Sequence, residues 1–250
     1  MKILSYIGPA DYITLVNGLL GFLAIMYVID SNYRLAFIFI LVVIILDGID
    51  GAVARFLRTG KQLGKYLDSI SDTVSFGFAP AVLIYSMFYN VDYTSFNYLP
   101  NALVVFVCFI IVGFAMLRLA WFVQYGQDLT YFKGLPTPAL ALFVILILQP
   151  LVQESLTQTM TLTAIFIITL LTQTEFKYPK LDNIPFQSAA GSIILILIVS
   201  LILRAGPIFS EFAVMSGFLF LLIYMILGPV YVRMKEEVGP SNGKQQNNSE

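Results

Sequence analysis

Apolar runs of roughly 17 to 25 residues, separated by short polar stretches, recur along almost the whole chain. A run of that length satisfies its own backbone hydrogen bonds as a helix and matches the ~30 Å apolar thickness of a bilayer. The pattern predicts an all-α, polytopic membrane helix bundle with eight spans, at 13–30, 34–57, 67–89, 101–124, 138–153, 160–175, 188–204 and 209–232. The fifth and sixth hold only about 16 apolar-rich residues each, short of the ~20 that a span needs. Before the first span, Gly8, Pro9 and Asp11 stand where a signal peptide would have an unbroken apolar core. Residues 1–12 therefore read as an interfacial lead-in helix, its end marked near Gly8-Pro9. Residues 13–232 read as the transmembrane domain, and the polar stretch 233–250 as a disordered cytoplasmic tail.

Loop charges orient this bundle. With the N-terminus in the cytoplasm, Lys2, Arg55, Arg58, Lys61, Lys65, Arg118, Lys133, Lys177, Lys180, Arg233, Lys235 and Lys244 fall on the cytoplasmic side. Only Arg34 and Arg204 fall outside. A split of twelve to two supports an even number of spans, with both termini cytoplasmic. Composition agrees with a membrane protein, at 58% hydrophobic and 12% charged residues and a mean hydropathy of +0.85. The net charge of −1 says nothing about partners, and no nucleic-acid partner is expected.

Two residue types narrow the chemistry by their scarcity. The sequence has no histidine and one cysteine, Cys108, which lies within a predicted span. Ser-His-Asp and Cys-His nucleophiles, His-ligated zinc, phosphohistidine intermediates and an intrachain disulfide framework are thereby excluded. Carboxylates, cations, hydroxyls and metals remain.

Carboxylates are concentrated in one place. DGIDGAVARFLRTGKQLGKYLDSISD, residues 47–72, sets Asp47 and Asp50 three apart and Asp68 and Asp72 four apart, so each pair shares a helical face. Two such faces opposed form an oxygen-rich cage for hard divalent cations. Four of the fifteen acids crowded near a bilayer cost several kcal/mol or more unless positive charge neutralises them, and a metal pair does so. Two metals about 3.5–4 Å apart can clamp a diphosphate during in-line displacement. Gly51 and Ala54 expose backbone on the turn after Asp50, as a base or ribose approaching closely requires. Arg55 adds a permanent cation with a fork suited to phosphate or carboxylate. The plainer alternative is a set of interfacial polar residues, and Arg58, Lys61 and Lys65 taken singly fit that description.

The pattern D-x-x-D-G-x-x-A-R-x8-G-x-x-x-D-x-x-x-D is complete at Asp47, Asp50, Gly51, Ala54, Arg55, Gly64, Asp68 and Asp72, and resembles the CDP-alcohol phosphotransferase family. The resemblance implies a six-helix catalytic core with two further C-terminal helices. It implies Mg²⁺ or Mn²⁺, as two divalent ions, held by Asp47, Asp50, Asp68 and Asp72, with Asp72 also as general base. It implies a cytidine site shaped by Gly51, Ala54, Arg55 and Gly64. Thr14 and Asn17 match polar positions that the family tends to place near the nucleotide, although either can simply bond its own helix.

LDSISDTVSFGFAPAVLIY (67–85), LRLAWF (117–122), FKGLPTPA (132–139) and FKYPK (176–180) resemble the phosphatidylserine synthase branch, archaetidylserine-forming members included. The likeness runs from Asp11 to Lys180. It implies CDP-diacylglycerol or CDP-archaeol and L-serine as substrates, membrane lipid as surroundings and a homodimer as assembly. Serine's carboxylate needs a cation, for which Arg118, inside the fourth span, and Lys133, before Gly134-Leu135-Pro136, are the candidates. Arg118 can instead snorkel to the membrane surface, and Lys133 can be a solvated loop residue. Trp121 and Val123 depart from the RLARFN of this branch, replacing an arginine and an asparagine. Lys133 or Lys177 would then compensate for the missing cation. Inositol phosphate and glycerol phosphate are alternative acceptors, and a membrane transporter with intramembrane carboxylates is an alternative class.

Overall fold

The computed structural model describes residues 8–57, 62–89, 98–126, 129–153, 155–180, 184–204 and 206–238. Ten helices occur among them: α1 (Pro9–Ile29), α2 (Tyr33–Leu57), α3 (Gln62–Asp72), α4 (Ala79–Phe88), α5 (Tyr98–Trp121), α6 (Thr137–Ile147), α7 (Pro150–Gln153), α8 (Gln158–Leu171), α9 (Ile184–Leu203) and α10 (Pro207–Val238).

Local chemistry sets the helix ends. Pro9 opens α1 with a preset φ and no N–H to satisfy, while Asp11 accepts a 2.7 Å bond from the Gly8 N–H. Residues 9–12 thus belong to α1 itself rather than to a separate lead-in helix, and residues 1–7 lie outside the described residues. Wide π-helical turns over Thr73–Phe78 join α3 to α4 in one continuous rod. Pro80 accounts for this widening: it cannot donate to the carbonyl of residue 76, and its ring crowds that turn. A second π segment, Phe122–Gly126, extends α5.

α6 is buried at Thr137, Leu140, Ala141, Leu142 and Val144–Ile147. A helix apolar all round belongs inside a bundle, and its eleven residues reach only ~16 Å, about half the hydrocarbon thickness. The fifth predicted span, 138–153, is accordingly broken at Leu148–Gln149 ahead of Pro150, and only α7 continues it. The sixth, 160–175, stops at Leu171, where Thr172 begins a turn. By length and composition, four segments can cross a membrane: Asp11–Ile29, Leu63–Phe88, Asn101–Gly126 and Ile208–Lys235. Their exposed faces carry large apolar side chains such as Phe22, Phe109 and Met215, as lipid contact demands.

Two further features depart from the pattern-based expectation. Tyr131–Lys133 (β1) and Lys177–Pro179 (β2) pair antiparallel, setting Phe132 opposite Tyr178 and Lys133 opposite Lys177. Three residues per strand are too few to show period-two alternation, so an otherwise all-α chain acquires a small ribbon. At the other end, α10 remains helical to Val238, past Arg233, where the tail was expected to begin.

Candidate functional site

α2 and α3 bring the aspartates together. Asp47, Asp68 and Asp72 each offer a carboxylate oxygen, all within 4.8 Å of one another. Asp72 is buried and the other two are half-buried. Asp72 ends α3, immediately before the π segment. Three carboxylates at this spacing repel one another unless a cation lies between them, and an all-oxygen donor set on rigid helices fits a hard divalent ion. The side chains of Asp50, Ala54 and Arg55 lie outside the described residues, while their backbone continues α2. Gly51 is half-buried on the same helix. Arg58 and Lys61 lie outside the described residues altogether.

α1 lies against this pair through small residues. Cβ atoms added at Gly18 and Gly21 would meet Ser71 and Ser75 closer than real side chains come, so the two rods approach almost backbone to backbone. Thr14 and Asn17 are buried in this seam. The Asn17 carbonyl accepts from Ser75 Oγ at 3.3 Å, but its side-chain amide has no hydrogen-bond partner among the described residues. A fully buried amide in that condition costs roughly 1–3 kcal/mol. Gly64 has a structural duty that its motif position did not reveal: a Cβ there would run into Asp11 Oδ1.

Arg118, near the C-terminal end of α5, is only 7% exposed, so it does not snorkel to the surface. Its Nη1 donates to Thr137 Oγ1 at 3.3 Å, and its guanidinium stands 5.8 Å from the centre of the Phe132 ring. The Nε has no hydrogen-bond partner among the described residues. Asp72, Asp47 and the Tyr224 phenol are within electrostatic reach of this guanidinium, linking it to the aspartate cluster.

The ribbon surrounds the same end of α5 with cations on aromatic faces. Lys133 Nζ is 5.5 Å from the Trp121 ring centre, Lys177 Nζ is 4.7 Å from Tyr131, and Lys180 Nζ lies near both Phe122 and Phe132. Lys133 is half-buried and shares its surroundings with Trp121, so it is no solvated loop residue. Gly134 makes the turn into α6 at φ +70°, with its N–H bonded to Phe176 O at 2.8 Å, and a Cβ there would collide with Thr172 O. Burial pushes the Tyr178 phenol above its ordinary pKa, so this residue of β2 stays neutral. Sequence reasoning missed Tyr224 and the ribbon, because both depend on contacts between segments more than 40 residues apart.

Three clustered carboxylates on α2 and α3, within electrostatic reach of a buried guanidinium, make an all-oxygen donor set that fits a hard divalent ion. The chain belongs to the CDP-alcohol phosphatidyltransferase family, whose description matches residues 9–172. It is 36% identical to the CDP-diacylglycerol–serine O-phosphatidyltransferase of Methanocaldococcus jannaschii over 93% of this chain and 98% of that protein. It is 37% identical to the archaetidylserine synthase of Methanothermobacter thermautotrophicus, over 57% of this chain and 58% of that protein. A Helicobacter pylori CDP-diacylglycerol–serine O-phosphatidyltransferase is 27% identical over 92% of this chain and 94% of its own length.

Proposed function

We propose that this protein transfers a phosphatidyl or archaetidyl group from a CDP-activated lipid to L-serine and releases CMP. The observation that carries the reading is the convergence of Asp47, Asp68 and Asp72 within 4.8 Å, on a chain whose full-length relative bears the serine transferase name. Asp50, three residues after Asp47 on the same helix, completes the ligand set for two divalent ions, Mg²⁺ or Mn²⁺. Bound there, such ions supply positive charge to the diphosphate and to the departing CMP oxygen.

The chain's own residues do the rest. Gly51, Ala54, Arg55 and Gly64, with Thr14 and Asn17 across the α1 seam, receive the cytidine end. Arg118 holds serine's carboxylate and Lys133 supports it, which brings the hydroxyl toward Asp72. Asp72 takes the hydroxyl proton as the serine oxygen bonds to the lipid-proximal phosphorus. The bond from that phosphorus to the CMP oxygen breaks, and the new phosphodiester leaves sideways into the bilayer. Six helical units, α1 to α8 with α3–α4 as one rod and α6 counted with α7 across the break at Leu148–Gln149, lie within the family match and form the catalytic core; α9 and α10 follow. The long apolar segments cross the membrane while the short α6 lies enclosed by the bundle, the aspartates and both termini are on the cytoplasmic side, and the working assembly is a homodimer.

The ribbon lysines beside Arg118 would also suit an acceptor carrying a phosphate, such as inositol phosphate or glycerol phosphate. An acceptor panel separates these readings. Purified protein, CDP-lipid and divalent ion should release CMP with serine and not with inositol phosphate, glycerol phosphate or ethanolamine. CMP formation that requires both lipid and acceptor also separates an enzyme from a transporter.

A further inference from the structure

α10 lies beyond the segment that matches the family, yet it reaches the ribbon. Tyr224, 4% exposed, donates its phenolic hydrogen to Pro179 O at 3.2 Å and stacks on Tyr178 with ring centres 5.5 Å apart. One helical turn on, a Cβ at Gly228 would sit 3.0 Å from Pro179 Cδ, so α10 is packed directly on β2. β2 in turn pairs with β1, which sets Tyr178 opposite Phe132, the ring beneath Arg118, and Lys177 opposite Lys133. A ribbon of only three residues per strand has few bonds of its own, so packing from α10 contributes to its register.

We propose that Tyr224 is a positioning residue for acceptor binding: α10 clamps β2 and thereby fixes Phe132 and Lys133 around Arg118. The phenol acts through the ribbon and through its proximity to the Arg118 guanidinium. This rests on the serine-transfer reading given above. The C-terminal helix therefore sets acceptor affinity, while the aspartates and the α1 seam set nucleotide and ion affinity.

Tyr224→Phe keeps the ring stack and removes the bond to Pro179 O. With full-length protein and CMP release as the readout, it should raise the serine KM about three- to tenfold, as loss of one hydrogen bond implies. The CDP-lipid KM and the half-saturating Mg²⁺ concentration should stay within twofold of wild type. Gly228→Ala, which presses on the same strand from the next turn, should shift the serine KM in the same direction. An unchanged serine KM in both variants, or an equal rise in the CDP-lipid KM, overturns the proposal. Should Tyr224→Phe fail to fold, Gly228→Ala alone decides by the same two KM values. A wild-type enzyme that ignores serine would instead overturn the underlying reading, and the wild-type acceptor panel shows that before any variant is compared.

Discussion

The ammonium of Lys133 stands 5.5 Å from the centre of the Trp121 ring, so a ribbon lysine is held over the indole at the end of α5. Under the proposal that Lys133 supports Arg118 in holding serine's carboxylate, Trp121 fixes the lysine that does so. A cation over an indole face contributes about 0.5–1 kcal/mol at a partly exposed site. Trp121→Ala should therefore raise the serine KM about two- to fivefold by releasing Lys133. Trp121→Arg should lower it, because a further cation, beside Arg118 and Lys133, then faces the carboxylate. Steady-state CMP release at varied serine checks both, and a higher KM in Trp121→Arg would mean that the wall does not face the acceptor.

Asp47→Asn, Asp50→Asn and Asp68→Asn should each reduce turnover by roughly 10²-fold or more, since each removes a charged ligand whose ions stabilise the transition state. Asp72→Asn should lower kcat more than it weakens CDP-lipid binding. Near wild-type rates at saturating Mg²⁺ and Mn²⁺ in any of these variants would remove that residue from its assigned role.

Arg118→Ala and Arg118→Lys should raise the serine KM about tenfold or more while leaving the CDP-lipid KM almost unchanged, because a charged hydrogen bond contributes about 1.5–3 kcal/mol. An equal loss for both substrates would assign the guanidinium to the diphosphate instead.

Divalent ions should stabilise the protein as well as activate it. Asp47, Asp68 and Asp72 repel one another within 4.8 Å, and an ion that binds only the folded chain adds about 2.7 kcal/mol at a concentration a hundred times its Kd. Mg²⁺ or Mn²⁺ should raise the thermal midpoint of wild-type protein in detergent, and EDTA should reverse the rise. The increase should be smaller in Asp68→Asn. An identical rise in that variant would show that the ions act elsewhere.

Gly134→Ala should destabilise the fold by roughly 1–3 kcal/mol, because φ +70° disfavours a side chain and the added Cβ would collide with Thr172 O. Thermal unfolding measures the loss. Serine affinity should fall with it, since Gly134 joins Lys133 to the turn that leads to Thr137 and its bond with Arg118.

By itself the sequence determined the helical membrane class and the aspartate motif. Both are encoded by spacing within single segments: apolar runs matched to a bilayer, and carboxylates three and four residues apart on one helix. It also singled out Arg118, because a lone guanidinium in an apolar run has few purposes. The tertiary structure alone decided which elements complete the site. The pairing of β1 with β2, the placement of Lys133 on Trp121 and the reach of Tyr224 to Pro179 all join segments distant in sequence, where side-chain periodicity carries no information. The break of the fifth predicted span has the same origin. α6 is apolar on every side because it is enclosed by the bundle, and burial in protein and burial in lipid select the same residues. Gly64 and Asp11 show the limit most plainly: along the chain Gly64 reads as a motif position and Asp11 as a polar break before the first span, and only the packing of α3 on α1 brings the two together.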